Sequence, residues 1–513
     1  MKKHEIFHEE LQTIVNEKSS QKLFDYIEEN IVCFFSTPSI SNYYHILRDS
    51  DISLSKKMLP KLIKAWLAFL CGDNAGLNTI MRYIDELELK DQYESSFYYA
   101  LRAIMGFSPD GEEELKYGKL SMDILPEGDG SFFMANSKLT YAQILAGIDQ
   151  YRAAADIFHD SYKMFYSMEM HFPAVVALVN ELLNRYKLGE FIGVIDKCNE
   201  VLIMSASFRE EAHEFWNIIH LPLGMCYFEM NKPSLAIQHL KLAKACIDSM
   251  NMFHMHGFIE QYLFKCYYIL NDKAGMEEIK DQALADFEHM HYIYTDLLIS
   301  MFRIITSQWG CNQNLQPDIE RFELEYMKCG DKSQLFIIET LAYLKIKGLS
   351  DAITVENMLK SLEKLRFTGM IPYIQLFLVL IAEMHFMENM QKNATECLKE
   401  AAAIYREYDI SISFYMVPLK SIHLLQKIDQ QIYNAIVKKG LLDKSHPHGS
   451  ILSAREKEIM QLVAMGKGNE EISKTLFIGV GTIKWHINHI FAKLEVQNRI
   501  QAAQKAKSLG EIL

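Results

Sequence analysis

The chain has 513 residues, of which 49% are hydrophobic and 23% charged, and its formal net charge is −13. This length accommodates several domains or one long repeat array. The N-terminal residues contain no signal-peptide-like apolar segment, and the longest apolar run, residues 376–382, is too short to span a bilayer. The nine cysteines are scattered without a CxxC pair, which favours reduced thiols. We therefore expect a cytoplasmic protein and neither a secreted nor a membrane-spanning one.

Turn-prone glycines and asparagines recur between helical runs across most of the chain, at intervals of 34 to 42 residues. Gly and Asn tolerate the left-handed backbone that reverses one helix into the next, so each interval predicts a helical hairpin. A regular series of hairpins predicts an α-helical repeat array over residues 1–440. The turn positions are Gly72, Gly106, Gly147, Gly189, Asn231, Asn271, Gly310, Gly348 and Asn389.

One interval shows the repeat most clearly, because small residues let paired helices approach while an aromatic side chain fills the gap between them. This pattern resembles a tetratricopeptide-type repeat, although the period near 40 residues exceeds the usual length of about 34. The concave surface of such a solenoid can hold a small molecule, a peptide or a protein segment. The residues that carry the pattern are Leu223, Gly224, Tyr227, Ala236, Leu240 and Ala243.

Two His-Met-His tripeptides, residues 254–256 and 289–291, fall in successive repeats. The imidazoles could ligate a soft metal, line an effector pocket, or pack between helices. Histidines two apart on a helix point in different directions, which disfavours a metal site, and we predict none. His256 and His291 are the candidate effector-binding residues.

Residues 441–450 interrupt the helical periodicity, with Pro447 and Gly449 as the strongest helix breakers. A segment of this kind predicts a linker between the repeat array and a C-terminal domain over residues 451–513. Such a tether would let the C-terminal domain be held against the solenoid or released from it.

The C-terminal domain has apolar residues at helical spacing, which predicts four short helices. Ser453 with Glu456 forms a capping-box pattern, Gly466 suits a helix end, and Asn469 and Asn498 are candidate caps. The expected buried positions are Ile459, Leu462, Val463, Ile472, Leu476, Ile483, Ile487, Ile490 and Leu494.

The third of these helices leaves cationic, amide and aromatic side chains outside its apolar stripe, which is the form needed to enter a DNA major groove. Charge supports this interpretation. From Leu452 onward, nine Lys and Arg residues outnumber six acidic ones, giving +3, while the rest of the chain carries −16. An acidic scaffold repels DNA, so contact should be confined to the basic domain. The candidate DNA-binding residues are Asn469, Thr482, Lys484, Trp485, Asn488 and Lys493.

In order and spacing, the domain resembles the LuxR-type helix-turn-helix family. The resemblance covers about an eighth of the chain. It rests on Leu452, Arg455, Glu456, Gly466, Asn469, Ile472, Leu476, Gly481, Thr482, Ile483, Lys484, His486, Ile490, Lys493, Leu494 and Arg499.

This resemblance implies that residues 480–494 form the recognition helix, with Lys484, Trp485 and Asn488 at base-reading positions and Thr482 near phosphate. The fourth helix would pair two copies on a two-fold DNA site. Its pairing surface would be Ala502, Ala503 and Ala506.

The chain departs from the family pattern where Gly479 replaces the usual serine and Val480 an acidic residue. Glycine still caps a helix, at a cost of a few tenths of a kcal/mol relative to serine.

The period near 40 is similar to the sensor solenoids of MalT-like LuxR proteins, which place an ATPase before the repeats. This chain has no GxxxxGK[ST] phosphate loop and no pattern of a phosphoacceptor receiver domain. We therefore expect a cytoplasmic, non-enzymatic transcription regulator without a cofactor, whose all-α solenoid senses an effector and controls a DNA-binding homodimer. The alternative is a repeat scaffold or adaptor with a vestigial helix-turn-helix.

Overall fold

The computed structural model describes residues 2–17, 20–38, 40–48, 50, 57–106, 111–205, 214–250, 256–288, 295–306, 314–329, 335–417, 419–434, 454–476, 479–494, 496 and 498–508. Throughout these residues the regular structure is helical, which confirms the all-α prediction. The chain divides into two units, Met1–Ile432 and Tyr433–Leu513. The predicted linker, residues 441–450, lies outside the described residues.

The first unit is an α-solenoid of consecutive antiparallel helices, and its described residues include a 3₁₀ helix at Glu214–Ile219. Its α-helices are α1 Lys2–Asn16, α2 Ser20–Glu29, α3 Ile31–Phe35, α4 Ile40–Arg48, α5 Leu59–Leu70, α6 Asn74–Asp85, α7 Gln92–Met105, α8 Glu112–Asp123, α9 Phe132–Gly147, α10 Tyr151–Ser167, α11 His171–Lys187, α12 Phe191–Ser205, α13 His220–Glu229, α14 Pro233–Ser249, α15 His256–Ile269, α16 Lys273–Glu288, α17 Thr295–Thr306, α18 Gln316–Cys329, α19 Leu335–Ile346, α20 Val355–Thr368, α21 Ile371–Met387, α22 Gln391–Tyr408, α23 Ser413–Met416 and α24 Ile422–Ile428.

Turns between these helices use one recurring backbone device. At Asn231 the backbone is left-handed, with φ of +50°. The Asn231 amide donates to the carbonyl of Phe228 (2.8 Å), and the next amide, of Lys232, reaches back to Tyr227 (2.8 Å). This is the Schellman arrangement, which satisfies the last carbonyls of a helix. The left-handed conformation is found at six of the nine predicted turn residues, namely Gly72, Gly189, Asn231, Asn271, Gly348 and Asn389.

Two predicted turn positions differ. Gly147 is the last residue of α9, and Asp149 takes the left-handed conformation instead, with φ of +66°. Gly106 ends α7 in extended backbone, with φ of −70°. Gly310 lies outside the described residues. Sequence spacing therefore located the hairpins but not always the residue that carries the positive φ.

The repeat with the clearest sequence pattern, residues 223–243, is confirmed as a tightly packed helical pair, α13 and α14. A Cβ at Gly224 would lie 2.8 Å from the Cγ of Leu240, so only glycine allows the two helices to approach this closely. Tyr227, Ala236 and Ala243 are also buried in the core.

The later repeats fold back onto the earlier ones, which the sequence did not indicate. Lys364 on α20 forms an ion pair with Asp149 before α10, with 3.3 Å between Nζ and Oδ2. Tyr408 on α22 and Ile371 on α21 pack against Gly189, the turn after α11. We refer to these as the closure contacts. They bring the inner faces of α13 and α15 opposite those of α19 and α21.

The chain after α22 extends the closure. The amide of Ser411 donates to the carbonyl of Glu229 at the end of α13, at 3.2 Å. Gln375 on α21 is completely buried, and its Nε2 donates to the carbonyl of Ile410 at 2.8 Å. The short helix α23 that follows contacts both α15 and α21. No helix in the described residues is both long and apolar enough to cross a membrane.

Candidate nucleic-acid interface

Among the described residues from 454 to 508, the second unit forms four helices, as predicted, with tight connections between them. They are α25 Ala454–Ala464, α26 Asn469–Leu476, α27 Val480–Lys493 and α28 Arg499–Ser508. Ile483, Ile487, Ile490 and Leu494 form the buried stripe along α27. Ile459, Val463 and Ile472 join the same core, and Leu462 and Leu476 pack at its edge. The predicted inward faces of these helices are therefore confirmed.

The outer face of α27 carries polar side chains. Lys484 and Asn488 are exposed and Thr482 is half-buried. Because Lys484 and Asn488 are four residues apart on a helix, they share one face. The side chains of Trp485 and Lys493 lie outside the described part of the structure. The cation and amide that the sequence assigned to base reading are thus free of the core.

The N-terminal end of α27 is open. Gly479 precedes the helix, and its carbonyl accepts the first helical hydrogen bond from the Ile483 amide at 3.1 Å. A Cβ at Gly481 would meet no atom within 4 Å, and Val480 is 36% exposed. Small residues and uncovered amides let the backbone approach an anion closely, and the helix dipole favours a phosphate there.

Two arginines connect three of these helices. Arg455 on α25 donates to the carbonyl of Leu476 at the end of α26, at 2.9 Å. Arg499 on α28 donates to the Asn469 side chain (3.1 Å) and to the carbonyl of Lys467. These arginines counted toward the net charge of +3, yet their guanidinium groups bond within the domain. The sequence signal for that role was their place at helix starts, opposite the carbonyls that end a neighbouring helix.

The predicted caps have mixed outcomes. Asn498 caps α28, since its Oδ1 accepts from the Gln501 amide at 3.0 Å. Gly466 has a φ of +81° and ends α25 as expected. The cap prediction for Asn469 was wrong by one position: α26 begins at Asn469, and the amide of Gly468 donates to the Glu471 carboxylate at 2.7 Å. Ser453 lies outside the described residues.

Asn469 was also a candidate DNA-binding residue. Its side-chain oxygen accepts the bond from Arg499, and the residue is half-buried. The structure thus gives it a bracing role between α26 and α28, which leaves its amide nitrogen as the group that could face DNA.

The predicted pairing surface on α28 needs correction. Ala502 and Ala506 are 0% exposed because they pack into the core of the domain, and Ala503 is half-buried against it. Small side chains here allow α28 to lie close to α25 and α27. The opposite face of α28 is exposed and carries an uncovered isoleucine. Its residues are Ile500, Gln501, Gln504 and Lys507.

The candidate effector histidines lie in the first unit. His256 is 2% exposed, with its Nε2 2.6 Å from Asp248 and its Nδ1 3.4 Å from Lys244. These contacts join α14 to α15, which is the arrangement expected of a helix-packing histidine. His291 lies outside the described residues. Within the described part of the chain, no cluster of three or more metal-ligating side chains occurs, and no cysteine forms a disulfide.

A short bracing helix followed by a helix with an exposed polar face, both packed on a common core, is the helix-turn-helix arrangement. Residues 450–506 match the family described as bacterial regulatory proteins of the luxR family. The C-terminal unit therefore contains a LuxR-family domain, as its sequence indicated.

Relatives share this part of the chain. It is 40% identical over 81 residues to the transcriptional regulatory protein DesR of Bacillus subtilis and 53% identical over 57 residues to LiaR of the same organism. It is 31% identical over 108 residues to the response regulator protein VraR of Staphylococcus saprophyticus. These alignments cover 16%, 11% and 19% of this chain and 39%, 26% and 52% of the relatives. The chain thus spans at most about half the length of these relatives.

Proposed function

We propose that this protein is a sequence-specific DNA-binding transcription regulator that inserts α27 into the major groove. One observation carries the proposal: α27 buries an isoleucine stripe while Lys484 and Asn488 stand exposed on its outer face. Lysine pairs with guanine acceptors and asparagine with adenine, so this pair can read base edges. The luxR-family match over residues 450–506 and the regulatory names of the relatives support the same function.

The charge distribution supports a domain that acts as a pair. A net charge of +3 gives one copy few phosphate contacts, and counterion release makes affinity depend strongly on their number. We propose that two copies pair on a two-fold site through the exposed face of α28. Ile500 is 72% exposed there, and its burial in a dimer would recover apolar area. Replacing Ile500 with Glu should weaken binding to a two-fold site far more than binding to a half-site.

We further propose that the helical-repeat unit binds an effector and thereby controls the DNA-binding unit. Two adjoining cavities in the repeat unit support this proposal, because aromatic and apolar side chains and a buried carboxylate line them. The DNA-binding unit would shift between a masked state and a state that can dimerise. An effector drives such a shift if it binds one state more tightly than the other, and no covalent chemistry is needed. We propose a cytoplasmic location, because the proposed regulator acts on DNA.

Binding of the full chain to labelled genomic fragments, measured at several salt concentrations, tests the DNA-binding proposal. Lys484→Ala and Asn488→Ala should each weaken retention of the preferred fragment by roughly 5- to 150-fold, the equivalent of about 1–3 kcal/mol per base contact. Lys392→Ala on the surface of α22 removes the same charge outside the domain and serves as the matched control.

The repeat scaffold with a vestigial helix-turn-helix makes the opposite prediction. If Lys484→Ala and Asn488→Ala bind every fragment as tightly as the wild type does, the regulator proposal fails. Loss of binding that is uniform across sequences would assign Lys484 to phosphate, and the salt slope would then fall by about one.

A further inference from the structure

Two adjoining cavities lie where the closure contacts bring opposite repeats together. Their enclosed free volumes are about 30 and 40 Å³. Lys265, Glu339, Leu376 and Met416 line both, so the two form one elongated space. Its walls come from α13 and α15 on one side and from α19, α21 and α23 on the other. Neither cavity is lined by His256.

The walls are mainly aromatic and apolar. Phe228 and Tyr262 stand edge to face, with ring centroids 5.3 Å apart, and Tyr373 faces the same space from α21. Tyr268 and Tyr343 line the second cavity. Aromatic faces attract cations as well as apolar groups.

One acidic group dominates the electrostatics of the space. Glu229 lines the first cavity and is buried, and its Oε1 accepts a hydrogen bond of 2.5 Å from the Tyr186 phenol. Lys265 and Glu339 pair at 2.9 Å and neutralise each other. Among the described residues no cation lies within ion-pair distance of Glu229. The cavity therefore carries a net negative charge whenever Glu229 is ionised.

We propose that this space binds a small organic cation, with an ammonium group against Glu229 and an apolar or aromatic body between the tyrosines. A buried carboxylate without a cationic partner is costly, and a bound ammonium would compensate it inside an aromatic wall. An anionic ligand would instead place a second negative charge beside Glu229.

Ligand sites for small molecules are mostly apolar and carry a few polar groups that fix orientation. This space fits that description, with Glu229 and the Lys265–Glu339 pair as its polar groups.

Burial raises the pKa of Glu229 to about 7, against the hydrogen bond from Tyr186 and the charge of Lys265, which lower it. A cation bound at this carboxylate favours the ionised form. The affinity for an ammonium ligand should therefore rise between pH 6 and pH 8.

The location also gives the ligand a regulatory consequence. A molecule that contacts α13 and α15 together with α19 and α21 stabilises the closed arrangement of the repeats, because it binds that arrangement better than a separated one. This consequence rests on the proposed function, whereas the binding itself does not.

Isothermal titration calorimetry of the full chain with phenethylamine tests the proposal at pH 8. The neutral isostere 2-phenylethanol and the anionic 3-phenylpropionate should bind at least about tenfold more weakly, a difference of one good charged contact. Glu229→Gln should lower the affinity for phenethylamine by about tenfold or more, since it removes the charge but keeps the acceptor for Tyr186. Leu376→Trp fills the shared part of the space and should abolish binding.

Glu127→Gln, at an exposed position between α8 and α9, is the matched control and should leave binding unchanged. Circular dichroism establishes that each variant is folded. The proposal is overturned if the wild type does not bind phenethylamine, if the alcohol binds equally well, or if Glu229→Gln binds the amine as the wild type does. Binding to genomic fragments is measured separately, so loss of DNA binding with intact amine binding would refute only the proposed regulator function.

Discussion

Glu229 makes a specific prediction about stability and pH. Its ordinary pKa of 4.5 is raised to about 7 in the folded protein, chiefly by burial. A raised carboxyl pKa means that the folded state holds the proton more tightly than the unfolded state. The stability that the neutral Glu229 carboxyl contributes is therefore lost progressively as pH rises from about 4.5. Above the folded pKa near 7, that contribution is gone.

At about 1.4 kcal/mol per pKa unit, the rise from 4.5 to about 7 corresponds to a loss of unfolding free energy on the order of 3 kcal/mol at high pH. Glu229→Gln cannot ionise and keeps an oxygen that accepts from Tyr186. We expect the variant to gain roughly 2–3 kcal/mol relative to the wild type between pH 5 and pH 8.5.

Other titrating groups near Glu229 do not produce this difference. Burial raises the pKa of the tyrosines and cysteines around it, so they stay neutral over this range. The Lys265–Glu339 pair is present in both proteins and cancels in the comparison. The facing phenols and thiols are Tyr186 on α11, Cys226 on α13, Tyr262 and Cys266 on α15, and Tyr373 on α21.

Urea unfolding of the full chain, followed by circular dichroism at pH 5, 6, 7 and 8.5, measures the effect. The free energy of unfolding of Glu229→Gln should exceed that of the wild type by an amount that grows above pH 5. For Glu127→Gln the difference from the wild type should not depend on pH. The reasoning is refuted if the difference in unfolding free energy between Glu229→Gln and the wild type stays constant or falls as pH rises. Either result would show that the carboxyl is already ionised at pH 5.

Three further predictions concern the closure contacts and the DNA-binding domain. Gly189→Ala should destabilise the repeat unit by about 1–2 kcal/mol because of its left-handed backbone, and by a further amount because the added methyl group displaces Tyr408. Gly348→Ala shares the backbone strain without that contact, so equal unfolding midpoints would refute the closure argument. Arg499→Ala should destabilise the second unit by about 1–3 kcal/mol and weaken DNA binding without changing its salt slope, whereas a shallower slope would mean that Arg499 contacts phosphate. Gly479→Ser has room for its side chain and should raise stability by a few tenths of a kcal/mol, measured by thermal unfolding, and a lower midpoint would contradict the capping geometry.

Local chemistry explains what the sequence could predict. Many helices end in a left-handed residue, and Gly and Asn adopt that conformation at little cost, so their spacing in the sequence predicts most of the hairpins. The isoleucine stripe of α27 was equally predictable, because 3.6-residue periodicity fixes which side chains share a face. Asp149 was missed since aspartate takes a left-handed conformation less often than glycine, and Gly147 stood two residues away.

Side-chain roles that depend on a neighbouring helix were harder to predict. The alanines of α28 have the size expected of a pairing surface and also of a close intradomain contact. Only the position of α25 shows that Ala502 and Ala506 are inside. Arg455 and Arg499 likewise counted toward the basic charge of the domain. Their carbonyl partners lie 21 and 32 residues away in the chain, so the sequence alone did not show that they bond within the domain.

The closure contacts depend on relations that no local pattern encodes. Lys364 and Asp149 are more than two hundred residues apart, and each looks in sequence like an ordinary surface charge, one on a helix and the other in a turn. Yet the small angular offset between successive repeats accumulates along a solenoid and decides whether distant repeats meet. The buried Glu229 appears in sequence as one acidic residue near a helix end, and only the opposing helices α19 and α21 turn it into the wall of a cavity. A ligand site formed in this way responds to any change in the stacking of the intervening repeats, which is the property that a sensor needs.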